Sequence, residues 1–424
     1  MKEPKVLVIS NNPFSDINNN GKTLKSIFSS FSRESLSQFY IMPQENEKCD
    51  PYFASSYYAV SEFDILQKIL HPSRRCGGVQ SFIKGDDSRV SGNRWYKKLK
   101  ASPIRNFKPL RSLLWKFRLW NTKEFKQWYH TISPDIVFAL VGAPDITYDI
   151  SIQICKDLSI PLVIYFTDDY LIHPLRKGIF SSFRFKREKA VYERIVNFAS
   201  MRYCIGKMMC EEYSLFFNCD FSPIMNLADI RPLSEYVTHD VPIISYFGSM
   251  SLNRWKMISR FSNLVGEKGI INIYTGDQLS KCMTNALAKD NVRLCGLVKG
   301  ELFEEKKRES DILLHVESDE PEQRARTALS ISTKIPDYLI TGRLVIGFGP
   351  TEVASMRLIS DNDIGIVLSA SDDNNKLSIQ LTTLLNDKNK WLEYGQKAYQ
   401  YAIDNFDKRK TSLAIKNQLM QLVS

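Results

Sequence analysis

The chain has 424 residues, of which 43% are apolar and 25% are charged. It is too long for one hydrophobic core, and its composition is that of an ordinary globular protein with two or three domains. No run of about eighteen apolar residues occurs, so the sequence predicts neither a signal peptide nor a membrane-spanning helix. Eight cysteines are scattered without the paired spacing of a zinc site, which indicates free thiols, a cytoplasmic location and no bound metal.

The net charge of +10 is concentrated in one segment of the chain. Residues 74–126 contain fifteen Lys or Arg and three Asp or Glu, and four of the six tryptophans lie between residues 95 and 128. Cations mixed with aromatic rings favour a surface that lies on anionic lipid headgroups. Single-stranded nucleic acid selects the same residue types, and a third interpretation is an aromatic core beneath a solvated basic face. We expect the anionic membrane surface and no nucleic acid partner.

The chain opens with a predicted βα unit. Residues 5–10 predict a buried strand, and a helix is expected from about 22 to 31. The tripeptide Gly-Lys-Thr at 21–23 suggests a phosphate-binding Walker A loop, but Asp16 occupies the position of the first glycine of that motif. A better interpretation is that Gly21 lets a ligand or a facing domain approach the helix N-terminus closely.

The first domain is predicted to span 1–222, with a largely helical, basic insertion at about 51–130. A strand–helix–strand pattern follows at 133–166, which is typical of a parallel sheet. A second basic helix that carries phenylalanines is expected at 176–195, and another strand at 201–206.

Three polar residues, Thr167, Asp168 and Asp169, follow the second strand of this pattern directly. They are expected at the carboxyl edge of the sheet, where open α/β sheets bind ligands. A carboxylate there is a candidate for catalysis or for binding an acceptor. The alternative is that an Asp after a strand only caps the next helix.

A loss of periodicity at 223–241 indicates a linker between two domains. Strand patterns then recur six times across a second domain that spans 242–400, and residues 401–424 predict a helix that packs back toward the first domain. The predicted fold class is therefore α/β, with two tandem Rossmann-like parallel-sheet domains that face each other across a cleft.

The stretch from Leu329 to Pro350 contains the clearest candidate for a binding site. A hydroxyl-rich turn at 330–334 precedes a short apolar helix, whose first amides lack acceptors and whose dipole favours an anion. The turn therefore predicts a phosphate site, and Asp337 is placed to accept hydrogen bonds from a polyol such as a ribose. The alternative is an ordinary helix that these Ser and Thr residues only cap.

Residues 243–368 resemble the donor domain of GT-B glycosyltransferases, especially the bacterial retaining enzymes that build surface polysaccharides such as capsule and O-antigen. The motifs that carry the resemblance are FGSMSLNRWK, LCGLV and STKIPDYLITGRLVIGFGP. The resemblance implies a hexosyltransferase that uses a nucleotide diphosphate sugar as co-substrate, without a metal or other cofactor, and that retains the anomeric configuration.

The resemblance also implies roles for residues of the second domain. The family often has an Arg and a Lys after the first strand of this domain that grip the diphosphate; Ser249 stands at the Arg position and Arg254 at the Lys position. The turn at 330–334, which ends with Lys334, falls where the family binds the diphosphate, and Asp337 corresponds to a glutamate that holds the ribose. A second family glutamate is replaced by Leu329, so one of the residues 317–320 (Glu317, Ser318, Asp319 or Glu320) is expected to hold the donor sugar instead. The full set of expected donor-binding residues is Gly248, Arg254, Gly296, Leu297, Val298, Glu317, Ser332, Thr333, Lys334 and Asp337.

In the first domain, the family often has a His followed by an Asp near the position of Thr167. Only Asp168 is present here, and it is expected to act as a catalytic residue together with Arg254 and Lys334. His173 is a candidate substitute for the missing His. The residues expected on the acceptor side of the cleft are Gly21, Thr167, Asp168, Asp169 and His173.

Three other functions remain open from the sequence. They are an NTPase that depends on Lys22, a sugar nucleotide epimerase of the same fold, and a non-enzymatic basic protein that binds membranes or nucleic acid. Asp361 and Asp363 have the DxD spacing of metal-dependent transferases, although they are typical of a turn before a strand. The basic segments favour a lipid-linked acceptor, with peripheral docking at the cytoplasmic face of the plasma membrane through 74–126 and 176–189.

Overall fold

The computed structural model of the protein describes residues 2–424, with the exception of 17–18, 42–48, 81–113, 143–145, 177, 179, 234–235 and 237. The described residues form one sheet of eight strands and one of six, which follow each other along the chain. This is the predicted α/β architecture with two parallel sheets. No helix in these ranges combines the length and the apolar character that a membrane span requires.

The first sheet has the spatial order β4-β3-β2-β1-β5-β6-β7-β8. Its strands are β1 (Val6–Ser10), β2 (Leu36–Tyr40), β3 (Ser56–Ala59), β4 (Gly78–Val79), β5 (Ile136–Val141), β6 (Leu162–Phe166), β7 (Met201–Cys204) and β8 (Ser222–Pro223). All pairs run parallel except β3 with β4. The central strands β1, β5 and β6 are fully buried, as is typical of parallel sheets.

The described helices of this domain begin at clear sequence signals. Ser61 and Asp64 form a capping box at the start of α2, and the Thr122 hydroxyl accepts from the Phe125 amide at the start of α3. The helices are α1 (Asn19–Ile27), α2 (Glu62–Leu70), α3 (Lys123–Ile132), α4 (Ile146–Leu158), α5 (Ser181–Phe198) and α6 (Gly206–Phe217).

The prediction of a largely helical insertion at 51–130 is wrong in its first part. β3 and β4 lie there, and they extend the first sheet at its edge beyond β2. β2 was also missing from the expected elements, because all five of its residues are buried and its sequence LSQFY shows no clear periodicity. Residues 81–113, which carry most of the expected basic surface, lie outside the described residues.

Most of the described aromatic residues of the basic segment belong to the core, and Phe117, which is 59% exposed, is an exception. Trp115, Trp120 and Trp128 are between 1% and 7% exposed, and Phe125 and Tyr129 are fully buried. Their rings pack against the first sheet, for example Phe125 against Tyr58 at 5.1 Å between centroids. The interpretation that the aromatic rings face a membrane is therefore wrong for these five buried residues.

The second sheet has the spatial order β11-β10-β9-β12-β13-β14 and is parallel throughout. Its strands are β9 (Ile243–Phe247), β10 (Ile270–Tyr274), β11 (Val292–Leu294), β12 (Ile312–Val316), β13 (Leu344–Gly349) and β14 (Ile366–Ser369). The helices are α7 (Arg254–Val265), α8 (Lys281–Leu287), α9 (Gly300–Arg308), α10 (Pro321–Thr327), α11 (Lys334–Leu339), α12 (Ala354–Asp361), α13 (Asn374–Leu385), α14 (Lys388–Asn405) and α15 (Lys408–Leu422).

The two domains are joined by more than the linker. α15 packs against α1 of the first domain, where the Ser412 hydroxyl donates to the carbonyl of Ile27 at 2.7 Å. Ile331 and Ile335, which flank the start of α11, are buried in the same apolar cluster as the core of the first domain. The carboxyl ends of the two sheets therefore meet at a contact that includes the expected site.

Candidate functional site

Asp168 lies at the carboxyl end of β6, where it faces the second domain. Its carboxylate accepts a hydrogen bond from the Tyr170 hydroxyl at 3.1 Å. Burial raises the pKa of Asp168, and the Ser330 hydroxyl and the Arg326 guanidinium of the second domain partly counteract this shift. The structure thus brings the expected catalytic carboxylate to the turn that was expected to bind phosphate.

Asp169 has a structural role, in contrast to the expectation that it lines the acceptor side. Its two carboxylate oxygens accept from the backbone amides of residues 171–173 at 2.8–2.9 Å and from the Tyr213 hydroxyl at 2.9 Å. The side chain is buried. Asp169 thus stabilises the loop that follows β6, and it does not cap a helix, because the next described helix begins only at Ser181.

The other two expected acceptor residues of this loop are partly exposed. Thr167 directly precedes Asp168 at the strand end, and His173 lies six residues after Thr167. His173 Nε2 is 2.7 Å from Glu212 Oε2 on α6. His173 is thus paired within its own domain, and its nearest described partner is a carboxylate.

Gly21 does not provide an opening for a ligand. A Cβ atom at this position would lie 2.5 Å from the carbonyl oxygen of Pro13 and 2.7 Å from Ser15. The close neighbour is thus the loop between β1 and α1, and the expectation of a ligand or facing domain at Gly21 is wrong. The next residue, Lys22, does reach across the cleft, since its ammonium lies 3.8 Å from Asp337 Oδ2.

Arg254 and Glu317 form a buried ion pair in the second domain. The Arg254 Nη2 is 3.0 Å from Glu317 Oε2 and 3.3 Å from Oε1, and His315 Nε2 is 3.3 Å from Oε1. Burial alone would raise the pKa of Glu317, but Arg254 and His315 hold it below its usual range. Glu317 also raises the pKa of Arg254 against the opposing effect of burial. Both groups are therefore charged, and the Arg254 charge is compensated by a residue that was expected to hold the donor sugar.

The turn before α11 is partly closed by its own hydrogen bonds. The Ser332 amide donates to Ser355 Oγ at 3.1 Å, and the Lys334 amide donates to Ser332 Oγ at 3.3 Å. Two amides that were expected to face a phosphate thus have partners, while Thr333 is half-buried beside them. The anion-binding capacity of this turn consequently rests on the Lys334 side chain more than on backbone amides.

The Lys334 ammonium is a half-buried cation in an unusual position. None of the ion pairs and hydrogen bonds within the described residues involves it. Burial lowers the pKa of Lys334, Asp337 opposes that shift, and Lys22 and Lys307 add to it. A cation without a compensating carboxylate at an interdomain contact is suited to binding an anion.

The remaining expected donor residues lie at the carboxyl edge of the second sheet. Gly248 follows β9, and its Cα faces the Tyr246 hydroxyl, which donates to the carbonyl of Ser249 at 2.7 Å. Gly296, Leu297 and Val298 follow β11; Leu297 is 58% exposed. These residues lie after the ends of β9 and β11, and their contact with a nucleotide stays a prediction.

Asp337 lines a cavity between the domains. The cavity has a volume of about 260 Å³ and is lined by residues of both domains and of the linker, including Lys22, Lys25, Arg231, Glu304 and Asp337. Its cations are each paired with carboxylates, such as Lys25 with Asp16 at 2.7 Å. The ribose expected at Asp337 would therefore lie beside a polar interdomain cavity.

Within the described ranges, no three His, Cys, Asp or Glu side chains are grouped as metal ligands would be. The two carboxylates with DxD spacing lie at the end of α12 and in the turn after it. Asp361 pairs with Arg357 at 3.1 Å, and Asp363 pairs with Lys397 at 2.6 Å. The two side chains are thus used in separate ion pairs.

No protein-family model matches the sequence, and no curated protein matches it. Solved structures match over nearly the whole chain. Anabaena HepE, solved with UDP, superimposes with a TM-score of 0.60 at 12% identity, over 98% of this chain and 100% of HepE. Sucrose-phosphate synthase from Thermosynechococcus elongatus gives 0.61 at 12% identity over 99% of both chains. WaaG, a glycosyltransferase involved in lipopolysaccharide biosynthesis, gives 0.55 at 10% identity over 97% of this chain and 99% of WaaG. The chain therefore has the GT-B glycosyltransferase fold.

Several residues of this site were not among the sequence candidates. Tyr170 donates to Asp168 from two residues further along the same loop, and Arg326 faces Asp168 from the second domain, so its position depends on how the two domains meet. Phe303 and Lys307 lie on α9, beside Lys334 of α11. The sequence of α9, GELFEEKKR, is typical of a solvated helix. Only Lys22 had a sequence signal, and that signal pointed to a different kind of phosphate site.

Proposed function

We propose that the protein is a glycosyltransferase that moves a sugar from a nucleotide diphosphate sugar to a lipid-linked surface glycan, with retention of configuration and without a metal ion. The fold supports the general class, since solved proteins with this architecture include HepE bound to UDP-glucose. Retention and independence from metal ions are implied by the resemblance to retaining enzymes, and the lipid-linked acceptor is supported by the exposed cations and rings of the described part of the first domain.

One observation carries the proposal more than any other. The Lys334 ammonium lies at the contact between the two sheets, half-buried and without a carboxylate partner in the described residues. The Asp337 carboxylate lies one turn further along the same helix, and Asp168 lies near the turn before Lys334. A nucleoside diphosphate fits this arrangement, since its phosphates need a cation and its ribose hydroxyls need an acceptor.

The chemistry follows from where charge develops. As the bond between sugar and diphosphate breaks, negative charge accumulates on the departing phosphate oxygens, and a fixed cation in a partly dry site stabilises it. Lys334 supplies that cation. Arg254 supplies a second cation if a phosphate replaces Glu317 as the partner of its guanidinium. Asp168 is placed on the opposite side of the contact, where it can accept a hydrogen bond from the attacking hydroxyl of the acceptor.

The acceptor side also fits a lipid carrier. α5 and its flanking residues expose large apolar side chains, among them Phe180 at 73% and Phe183 at 67%. Arg184, Lys186 and Arg187 are exposed on the same helix. Exposed rings among cations are suited to an anionic headgroup layer, so a peripheral position at the cytoplasmic membrane face is part of the proposal.

The proposal is tested by calorimetric titration with UDP, GDP and dTDP and with their sugars. We expect one of these to bind, and Lys334→Ala to weaken that binding by about tenfold or more, because a charge-assisted hydrogen bond contributes roughly 1.5–3 kcal/mol. Lys376→Ala is the matched control, since Lys376 forms an exposed pair with Asp372 in the same domain. Equal loss in both variants, or no nucleotide binding at all, would contradict the proposal.

Activity assays separate the alternatives. Transfer that persists after EDTA treatment supports the metal-free mechanism, whereas an absolute need for Mg²⁺ or Mn²⁺ rejects it. ATP hydrolysis that depends on Lys22 would indicate an NTPase, and conversion of the donor sugar without an acceptor would indicate an epimerase.

A further inference from the structure

The ring of Phe303 on α9 lies beside two ammonium groups. The ring centroid is 4.5 Å from Lys307 Nζ and 4.9 Å from Lys334 Nζ. The ring is held in turn by Phe247, whose ring meets it edge-on with 5.1 Å between centroids. A negative ring face at these distances attracts a cation.

Lys307 is fixed in place by strong contacts. Its side chain is fully buried, and its ammonium lies 3.0 Å from Glu304 Oε1 and donates to the carbonyl of Asp337 at 2.9 Å. These contacts join α9 to α11. They therefore fix the distance between the Phe303 ring and the first turn of α11, where Lys334 begins.

Lys334 differs from Lys307 because its ammonium makes no ion pair or hydrogen bond within the described residues, while the Phe303 ring centroid lies 4.9 Å from it. The charged groups around it are Asp337 on its own helix, Lys22 on α1, and Lys307 and Glu304 on α9. Lys22 and Lys307 repel it, and burial also disfavours its charged form, whereas the carboxylates of Asp337 and Glu304 favour that form. The ring of Phe303 is an apolar neighbour whose face attracts the ammonium at this distance.

We propose that Phe303 is a positioning residue for donor binding: its ring holds the Lys334 ammonium, charged and oriented, at the place where the donor diphosphate binds. The proposal rests on the proposed function, since it takes the ligand of Lys334 to be a nucleoside diphosphate. It adds an element that a phosphate-binding lysine does not by itself require, namely an aromatic face contributed by a different helix.

The test compares variants that keep or remove the ring face. Phe303→Tyr keeps the face, whereas Phe303→Leu and Phe303→Met keep apolar volume without it. The probes are inorganic pyrophosphate and whichever of UDP, GDP and dTDP binds the wild-type protein best, each titrated between pH 7 and pH 10. Phe261→Leu serves as a control, because Phe261 is a buried ring that packs on Phe348 in the same domain.

We expect Phe303→Leu and Phe303→Met to weaken binding of both probes by about three- to tenfold, in line with the strength of a partly desolvated cation–π contact. The loss of binding at alkaline pH should begin at a lower pH in these variants, because removal of the ring favours the neutral amine. Phe303→Tyr should resemble the wild type, and Phe261→Leu should lower the melting temperature without moving the pH profile.

The outcomes distinguish failure of the Phe303 role from failure of the proposed phosphate site. If Lys334→Ala weakens binding but Phe303→Leu and Phe303→Met match Phe303→Tyr in affinity and in pH profile, the positioning role is rejected and the proposed function stands. If Lys334→Ala changes nothing, or if neither probe binds, the proposed phosphate site fails and the role of Phe303 fails with it.

Discussion

The buried ion pair of Arg254 and Glu317 gives Glu317 a structural role that was not predicted from the sequence. Glu317 is 2% exposed, and its carboxylate is surrounded by Arg254 and His315. A buried carboxylate with such partners stays ionised, and removing it leaves a guanidinium without compensation. The first function of Glu317 in the structure is thus to hold Arg254 at the start of α7.

We expect Glu317→Gln to reduce the free energy of unfolding by about 3–5 kcal/mol at pH 7, as for other broken buried pairs. The pKa of Glu317 is depressed in the folded state, so its contribution to stability is complete above the unfolded value near 4.5 and is lost as the pH falls through the lower folded value. The difference in the free energy of unfolding between the wild type and Glu317→Gln should therefore become smaller below about pH 4.

Chemical denaturation at several pH values measures this difference. Glu352→Gln is the matched control, because Glu352 forms an exposed pair with Arg324 at 3.1 Å and such pairs contribute about 1 kcal/mol or less. A loss for Glu317→Gln that is as small as the control, or that does not depend on pH, would disprove the role assigned to the buried pair.

Part of the site could be predicted from single residues and part could not. Lys334 and Asp337 were found because a turn, a helix and a strand follow one another in a recognisable order over 330–349. Lys307 was not found, because a lysine in a charged helix normally points to water, and only the packing of α9 against α11 buries it. Roles that depend on a partner distant in sequence leave no local signal.

At the level of elements, the strands of the second domain were predicted well because each is a short apolar run between turn residues. The aromatic residues of α3 were misinterpreted because the local sequence does not show which surface an apolar side chain contacts. A tryptophan such as Trp128 in a basic segment looks the same whether its ring faces lipid or the core. In this case helix α3 places its rings on the first sheet and its cations outward.

The exposed face of α5 makes a sharper candidate for membrane contact. Phe180, Phe183, Arg184 and Arg187 follow the spacing of one helical face, and Leu215 on the neighbouring helix is 84% exposed. We expect the double change Phe180→Ser and Phe183→Ser to weaken sedimentation with anionic vesicles by at least about tenfold, since burying one such ring contributes about 1.5 kcal/mol or more.

Vesicle sedimentation at low and high salt checks this expectation. Salt screens the attraction between the cations and the anionic headgroups, which decays within about 8 Å at physiological ionic strength. Ile379→Ser is the control, since Ile379 is 68% exposed on α13 of the second domain. If the double variant sediments as well as the wild type, or if neutral vesicles bind the protein equally, α5 is an ordinary solvated helix and docking requires another surface.

For the whole molecule, the important feature is the direct contact between the domains at the site itself. Gly206, at the start of α6, has a φ of +73°, and a Cβ atom there would lie 2.3 Å from Ile331 Cδ1 of the second domain. Ile331 directly follows Ser330, which lies near Asp168. The absence of a side chain at Gly206 therefore lets the two halves of the site come together.

We expect Gly206→Ala to favour a more open arrangement of the domains, because the added methyl group collides with Ile331 and the positive φ is strained for any residue with a Cβ atom. Small-angle scattering should show a larger radius of gyration, and nucleotide affinity should remain near that of the wild type if the second domain alone binds it. Transfer activity should fall, since Asp168 would move away from the turn at 330–334.

Ile331→Val removes the colliding Cδ1 atom, so the double variant should recover the compact form and part of the activity while it keeps the stability cost of the strained backbone. An unchanged radius for Gly206→Ala, or no recovery in the double variant, would show that this contact does not control how the domains close.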